Sequence, residues 1–404
     1  MEPLDEPYVV RNARVMTCDP ARSGLGIIDH GAVAVADAGG KLVIEWVGVD
    51  DERPRGRREI DANGALVTPG LVDCHTHAIF AGNRAHEFAL RAAGTSYVEI
   101  QQAGGGIMAS LGPTRAASND ELRELLRARL DSALQSGTTT IEVKTGYDLT
   151  ADGEIRLLRD IGGSTVLGRP RVVATLLAHL IPPDRAHDRD AFVREICEQW
   201  IPRASSDKHR PTSVDVWCEH NAFTLSETRQ IFDAAKHHAL AVRGHIGQLS
   251  DLGAAELLAE YHALSADHLE HVSPAGIAAL ARAGTVAVML PGACVQLRLP
   301  VPPIAALRAA GVPLAVATDL NPGSSYCESL PIQMWLATTH FQMTVEEAWL
   351  GVTRIAARAL GLESAGVGTI APGAPADLVI WKTDDPVDVA YRYGTSLVER
   401  VLTP

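Results

Sequence analysis

Two histidines separated by a single residue give the strongest chemical signal in the chain. His75 and His77 follow a short apolar run that a Pro-Gly pair introduces, Pro69-Gly70-Leu71-Val72. Alternate side chains of an extended strand share a face, so both imidazoles point the same way. Two neutral imidazoles placed like this can hold one divalent ion and leave positions open for water. The plain alternative is a pair of surface histidines, which the apolar strand and Asp73 disfavour.

Ionisable side chains also stand where later apolar stretches end. The residues at those ends are Lys144, His179, Glu219, His245, His268 and Asp319. A buried histidine satisfied by a backbone partner would explain any one of them, but not the whole series. A third imidazole and a carboxylate would complete a catalytic type of divalent site. We choose His245 and Asp319 for these roles, because both close long apolar strands.

Residue types alone leave the roles of His268 and Lys144 open. His268 could be a ligand, a partner of a ligand or a core histidine. We favour general acid/base catalysis, since imidazole titrates near neutral pH. Lys144 could be carboxylated and bridge two metals. A lysine is more often an ion-pair partner, and Glu142 or Asp148 could serve it.

Composition restricts the class of protein and its partners. The 404 residues suffice for a barrel with a smaller domain, and the hydrophobic (46%) and charged (21%) fractions are those of a globular protein. A net charge of −13 argues against nucleic acid or an anionic membrane, although a local arginine could still bind a small anionic substrate. The acidic start lacks a secretion signal, no apolar run could span a membrane, and six scattered cysteines suit a reducing cytoplasm.

The middle of the chain alternates apolar strands with capped helices. Eight successive strand candidates end at residues 77, 144, 179, 219, 245, 268, 290 and 319. Ser118, Thr224 and Thr344 are each followed by glutamate three residues later, the signature of a helix start. This order predicts an α/β fold, a (β/α)8 barrel whose chemistry lies at the carboxyl ends of its strands.

Both ends of the chain are rich in short strands and turns. We expect residues 1–66 and 366–404 to form one small β-sandwich, and residues 67–365 to form the barrel. A long first loop containing Gly104-Gly105-Gly106 would lie over the barrel mouth. It lacks the Gly-Lys-Ser/Thr of a phosphate-binding loop, so it predicts a flexible loop and no nucleotide site.

The chain resembles the amidohydrolase superfamily and, within it, the imidazolonepropionase family. The superfamily marks are residues 69–77, His245, Asp319 and the closing block 368–380. The narrower marks are six blocks in order along the chain: 80–84, 103–107, 142–147, 178–183, 265–268 and 318–325.

The resemblance implies a metal-dependent hydrolase that opens the cyclic amide of 4-imidazolone-5-propionate to give N-formimino-L-glutamate in histidine degradation. It implies one zinc or iron ion per subunit, held by residues that match His75, His77, His245 and Asp319. It places His268 beside the water that the metal activates. The residues implied to contact the substrate are Arg84, Tyr147, His179, Asn321, Gly323 and Ser324. A homodimer is the implied assembly.

Gln248 departs from a common amidohydrolase pattern. Many members, deaminases especially, have a glutamate three residues after the strand-five histidine, here His245. A neutral amide cannot shuttle protons, but it can orient a ring nitrogen or a carbonyl. The glutamine therefore weakens the hypothesis of an aromatic-base deaminase. Two further hypotheses are a hydantoin-like cyclic amide hydrolase with two metals on a carboxylated Lys144, and a non-catalytic barrel that only binds.

The expected mechanism follows from these roles. Asp319 and His268 would take a proton from water and later deliver it to the departing ring nitrogen. The planar fork of Arg84 would bind the substrate carboxylate through both oxygens. The phenol of Tyr147 would lie near the ring, or would merely pack in the core.

Overall fold

The chain folds into a parallel barrel and a smaller sheet that both termini build. A computed structural model describes residues 6–95, 99–100, 104–165 and 169–403. The barrel strands are hydrogen-bonded in chain order: β6 (Leu71–Asp73), β7 (Thr138–Lys144), β8 (Arg171–Ala178), β9 (Ser213–Cys218), β10 (Ala241–Ile246), β11 (Ser265–His268), β12 (Val286–Met289) and β13 (Leu314–Val316). Every described pairing between neighbours is parallel. The predicted fold class is therefore confirmed.

The barrel strands are buried on both faces. All seven residues of β7, Thr-Thr-Thr-Ile-Glu-Val-Lys, are buried, and its β-branched residues suit a strand that is packed on each side. Glu142 and Lys144 stand at alternate positions of this strand, so both face the barrel interior, where Lys144 meets Asp215 of β9. Charged residues inside a barrel need partners at the same level, which the site described below supplies.

Helices follow the strands, and three of them begin where the sequence predicts. The α-helices of the described residues are α1 (Ala85–Ala92), then Met108–Ala116, Asn119–Gln135, Ala151–Gly162, Arg189–Glu195, Ile201–Ser206, Leu225–His237, Ala254–Glu260, Pro274–Ala283, Pro291–Leu297, Ile304–Ala309, Leu330–Thr339, Val345–Gly351, Arg354–Ala359 and Pro386–Tyr391. Thr224 and Thr344 form reciprocal capping boxes with the glutamates three residues on. The Ser118 side chain accepts the N–H of Glu121. Within the described residues, none of these helices combines the length and apolar content needed to cross a bilayer.

The barrel closes between its last and first strands through a short seam. The N–H of Asp319 donates to the carbonyl of His75 at 3.0 Å, and the N–H of His77 donates to the carbonyl of Leu320 at 2.8 Å. The Asp73 carboxylate accepts both the N–H and the hydroxyl of Thr318 across the same seam. Strand closure therefore brings the predicted ligands of the first and last strands together.

The termini form one seven-stranded mixed sheet. Its strands are β1 (Tyr8–Met16), β2 (Ile27–Asp37), β3 (Leu42–Val49), β4 (Arg58–Asp61), β5 (Leu66–Pro69), β14 (Leu378–Trp381) and β15 (Val398–Leu402). They run in the order β15-β14-β5-β1-β2-β3, and β4 pairs with β1. The edge strand β3 also bonds to residues 373–376, so the sheet curls around an apolar core of its own. A small β domain from both ends of the chain is thereby confirmed.

Strand β5 lies close to the domain limit predicted after residue 66. It pairs with β1 and with β14, so Leu66–Pro69 belongs to the terminal sheet, although we expected residue 67 to open the barrel. The exact limits of the domains otherwise stay a prediction.

Candidate metal centre

Four side chains from three strand ends converge at the mouth of the barrel. The Oδ1 atom of Asp319 lies 3.5 Å from Nε2 of His75 and 3.5 Å from Nε2 of His77. Nε2 of His245 lies 3.3 Å from Nε2 of His77. Four ligands at about 2.0–2.1 Å from a tetrahedral ion stand about 3.3–3.4 Å apart, so these spacings suit a zinc-like ion. The structure thus brings together all four residues proposed as ligands.

Two carboxylates fix the orientation of two of these imidazoles. Nδ1 of His75 lies 2.6 Å from Asp267, and Nδ1 of His245 lies 3.0 Å from Asp215. Since a carboxylate only accepts, each Nδ1 carries the proton, and each Nε2 keeps its lone pair. Metal-binding histidines commonly have this arrangement.

The Nε2 lone pairs at this point lack the hydrogen-bond donor or cation that a buried lone pair needs. Within the described residues, Nε2 of His75 is buried and has no hydrogen-bond partner. Burial lowers the pKa of His75 and of His77 well below the usual range, so both rings are neutral at pH 7. Neutral nitrogens and a carboxylate facing one point repel one another unless a cation lies between them. The donor set therefore fits a divalent ion.

His268 borders the same point from the next strand. Its ring centre is 6.0 Å from that of His75 and 5.6 Å from that of His245. His75, His245 and His268 also place one nitrogen each within a metal-sized space, so the structure leaves His268 within reach of a ligand role. Burial alone would lower the pKa of His268, but Glu270, 3.6 Å from its Nδ1, raises it above the ordinary value. This raised pKa suits a proton carrier at neutral pH.

Asp319 carries two features expected of a functional residue. Its backbone φ is +51°, a left-handed conformation that is uncommon for a residue other than glycine. Burial raises the pKa of its carboxyl to about 6, although His268 and His245 oppose the shift. Strained backbone and shifted acidity commonly coincide at sites of chemistry.

Lys144 lies beneath the ligands in a buried network of charges. Its Nζ is 2.7 Å from Glu142, 2.8 Å from Asp215 and 3.9 Å from Asp267. Burial and Arg243 would lower the pKa of Lys144, but these carboxylates raise it. The lysine is thus an ion-pair partner of Glu142, one of the two partners we considered.

Asp148, the second partner considered for Lys144, lies elsewhere. It accepts the hydroxyl hydrogen of Thr150 and stands 3.9 Å from Arg115 and 3.6 Å from Arg156. The expectation that it could serve Lys144 was wrong, because the turn after β7 carries Asp148 away from the barrel interior.

A cavity of about 400 Å³ opens above the ligands. The predicted residues that line it are His77, Arg84, Tyr147, His179, His245, Gln248, His268, Asp319, Asn321, Gly323 and Ser324. Apolar side chains such as Ile181, Leu297 and Leu299 complete the wall. A volume of this size suits a small molecule, with polar groups at defined points of an otherwise apolar lining. His75 lies fully buried beneath the cavity floor.

The aromatic wall of the cavity stands over the ligands. The ring of His179 stacks on that of His77 with centres 5.4 Å apart, and its Nδ1 lies 3.1 Å from the carbonyl of Gly146. Burial lowers the pKa of His179 to about 3, so its ring is neutral. Tyr147 contacts both rings edge-on. The buried Glu154 accepts the N–H groups of Gly146, Asp148 and Leu149 and so fixes the turn that carries Tyr147.

Arg84 is buried, not a surface arginine, and one edge of its fork is already engaged. Nε and Nη2 both donate to Oε2 of Glu87, at 3.0 and 2.7 Å. Asn321 is likewise engaged: it accepts the N–H groups of Gly323 and Ser324 and donates to the carbonyl of Asp319. Asn321 therefore shapes its own loop at the cavity wall.

Several residues that contact the candidate site escaped the sequence analysis. Asp215, Asp267, Arg243 and Glu87 have no special spacing along the chain. For Arg243 a signal was available, because it stands two positions before His245, as Glu142 stands two positions before Lys144. Asp215 and Arg243 are paired across β9 and β10, which no single-strand pattern shows.

Comparison with known proteins agrees with this geometry. The amidohydrolase family model matches residues 66–398. The imidazolonepropionase of Caulobacter vibrioides is 49% identical over 385 residues, which cover 95% of each chain. That of Rhizorhabdus wittichii is 47% identical over 389 residues, again 95% of each chain.

Solved structures show the same fold at low identity. A zinc-bound adenosine deaminase from Xanthomonas campestris has a TM-score of 0.71 at 19% identity, covering 100% of this chain and 92% of its own. Atrazine chlorohydrolase from Arthrobacter aurescens, complexed with zinc, has a TM-score of 0.72 at 19% identity, covering 98% and 94%. The resemblance seen in the sequence is confirmed: the chain belongs to the amidohydrolase family, in which its curated relatives are named imidazolonepropionase.

Proposed function

We propose that this hydrolase opens the ring of 4-imidazolone-5-propionate to give N-formimino-L-glutamate, with one zinc or iron ion per subunit. The observation that carries the proposal is the convergence of His75, His77, His245 and Asp319 below a cavity whose wall holds a buried arginine. Relatives of this name match the chain over almost its full length.

The ion would be held by Nε2 of the three histidines and by the Asp319 carboxylate. When bound there, it supplies Lewis acidity, which makes water more acidic and polarises a carbonyl. Asp215 and Asp267 keep two of the imidazoles in the tautomer that such binding needs.

Proton transfer falls to His268 and Asp319. In the proposed reaction, water adds to the ring carbonyl carbon, and the bond from that carbon to the ring nitrogen breaks. Asp319 accepts the proton that water loses and passes it to His268, which delivers it to the departing nitrogen. Glu270 raises the pKa of His268, which helps the ring to hold the transferred proton until the nitrogen departs.

The rest of the cavity would orient the substrate. Arg84 binds the propionate carboxylate beside the loop of Asn321, Gly323 and Ser324. The neutral ring of His179 and the phenol of Tyr147 lie along the imidazolone ring. Gln248 hydrogen-bonds a ring nitrogen or the carbonyl, a task that an amide performs without carrying a proton.

Cellular context completes the proposal. Six free cysteines suit the cytoplasm. The net charge of −13 argues against nucleic acid or an anionic membrane, whereas Arg84 could still bind a small anionic substrate. A homodimer is the proposed assembly.

The experiment supplies purified protein with freshly made 4-imidazolone-5-propionate, follows the loss of its ultraviolet absorbance, and counts metal per chain in the same sample. We expect rapid loss with one metal per chain. His268→Ala should lower turnover at least about a hundredfold while the metal stays bound.

Different outcomes would point elsewhere. An inactive protein that holds one metal would overturn the substrate and direct the search to other cyclic amides or to deaminase substrates. Two metals per chain would favour a hydantoinase-like centre. Full activity in the His268→Ala variant would contradict the proton-transfer role.

A further inference from the structure

Arg84 and Glu87 form a buried ion pair at the wall of the cavity. Their side chains are 7% and 8% exposed, and both lie at the start of α1. Arg84 lines the cavity, whereas Glu87 lies behind it. Because Glu87 does not line the cavity, it can affect a bound ligand only through Arg84. The proposed reaction assigns Glu87 no role.

Glu87 restricts the orientation of the guanidinium. One of its oxygens, Oε2, accepts hydrogen bonds from both Nε and Nη2 of Arg84. In the described part of the chain, Nη1 donates to no acceptor. Glu87 therefore occupies the Nε–Nη2 edge of the guanidinium, and Nη1 remains available to a ligand.

The second oxygen of Glu87 reaches the glycine loop. Oε1 accepts the N–H of Gly106 at 3.1 Å. The neighbouring residues Gly105, Ile107 and Met108 line the cavity. One carboxylate thus ties the arginine to the loop that forms part of the cavity wall.

Gly323 holds the guanidinium from the opposite side. A Cβ atom at this position would lie 2.0 Å from Nη1 and 2.6 Å from Cζ of Arg84. The carbonyl of Gly323 accepts hydrogen bonds from Arg91 and Gln296, which fix the loop in place. Any side chain here would displace Arg84, since the contact allows no Cβ.

From these contacts we propose that Glu87 is a positioning residue for the carboxylate end of the substrate. It presents one end of the Arg84 fork to a carboxylate, and it anchors the glycine loop at the same wall. The inference rests on the proposed function for the identity of that carboxylate.

Glu87→Ala tests the proposal by kinetics. We expect KM for 4-imidazolone-5-propionate to rise about tenfold to a hundredfold, the effect of a lost charge-assisted hydrogen bond. We expect kcat to stay within about threefold of wild type, because a contact made equally in the ground and transition states affects KM alone. Its matched control is His86→Ala, an exposed position on the same helix.

A substrate without the propionate separates positioning from general damage. Wild type should strongly prefer the carboxylate-bearing ring, and Glu87→Ala should lose that preference while kcat/KM for the bare imidazolone is unchanged. An equal loss for both rings would show a merely structural role and overturn the proposal. Gly323→Ala, which keeps Glu87 but displaces Arg84, should give the same loss of preference if Glu87→Ala does not fold.

Binding of glutarate, measured by calorimetry, makes the test independent of hydrolysis. Wild type and His86→Ala should bind it, and Glu87→Ala should bind it at least about tenfold more weakly. Equal binding by wild type and Glu87→Ala, or no binding by wild type, would overturn the positioning role. Glutarate binding without turnover of the imidazolone would instead reject the proposed function and leave the role of Glu87 intact.

Discussion

Two of the proposed ligands, His75 and His245, direct one ring nitrogen towards the proposed metal position and the other towards a carboxylate. The distances from His75 to Asp267 and from His245 to Asp215 are short, and neither carboxylate is exposed. Burial tends to raise the pKa of Asp215, but His245 and Lys144 hold it well below its usual range. A charged acceptor therefore stays behind His245 across the neutral pH range.

Asp215→Asn should weaken metal binding about tenfold to a hundredfold, because an amide is a weaker acceptor and can present its N–H to the imidazole instead. Competition with a fluorescent chelator at pH 7 measures the affinity. Asp152→Asn, at an exposed helix start, is the matched control and should bind as wild type does. Unchanged affinity in the Asp215 variant would show that the tautomer of His245 is set by other contacts.

At this scale the convergence of the four proposed ligands could be predicted from the sequence, but the carboxylates that contact their imidazoles could not. His75, His77, His245 and Asp319 stand at strand ends, where a break in an apolar run is visible. Asp267 directly precedes His268, so the sequence gives no reason to assign it a separate role. Its contact with His75 depends on barrel closure over 192 residues of separation, which no local pattern contains.

At the scale of elements, the passage from the terminal sheet into the barrel depends on a close approach. Gly70 lies between β5 and β6, and its N–H donates to the carbonyl of Asp377. A Cβ atom on Gly70 would lie 1.9 Å from Oγ1 of Thr139 on β7. The first barrel strand can therefore meet its neighbour only where a side chain is missing.

Gly70→Ala should lower the free energy of unfolding by about 1–3 kcal/mol, as overpacking of a tight contact does. Thermal and urea unfolding measure the loss. Gly112→Ala is the control: it lies in the helix Met108–Ala116 with no atom within 4 Å of an added Cβ, so it should be neutral or slightly stabilising. Equal stability of the two variants would mean that Thr139 moves aside without cost.

Element order was predictable because apolar strands and capped helix starts alternate visibly along the chain. The limits of the individual strands were less predictable. β13 covers only Leu314–Val316, although we expected this strand to end at residue 319, where the backbone turns to a left-handed conformation. The prediction located the strand but not the turn that aims its last carboxylate.

At the scale of the whole molecule, the buried carboxylates around the candidate metal site outnumber the buried cations. The carboxylates of the site are Glu142, Asp215, Asp267 and Asp319, and the cations beside them are Lys144 and Arg243. Their formal charges leave two negative charges uncompensated in a medium of low dielectric constant. The bound ion would thus contribute to stability as well as to chemistry.

Removal of metal with a chelator should therefore lower the melting temperature, and zinc should restore it. At a free metal concentration about a hundred times Kd, binding adds about 2.7 kcal/mol to the stability of the folded state. Calorimetry of chelated and zinc-loaded protein tests this, with His77→Ala as the control in which zinc should have a much smaller effect. Identical melting with and without metal would show that the charges balance by protonation instead.

The seam between β13 and β6 also determines when the site can exist. His75 and His77 leave the ribosome early, and Asp319, on the far side of the seam, follows more than two hundred residues later. Until the last strand docks, a growing chain contains His75, His77 and His245, but its Asp319 carboxylate is not yet in place. The proposed coordination by all four residues requires a closed barrel, so we expect metal to be bound only after the barrel has folded.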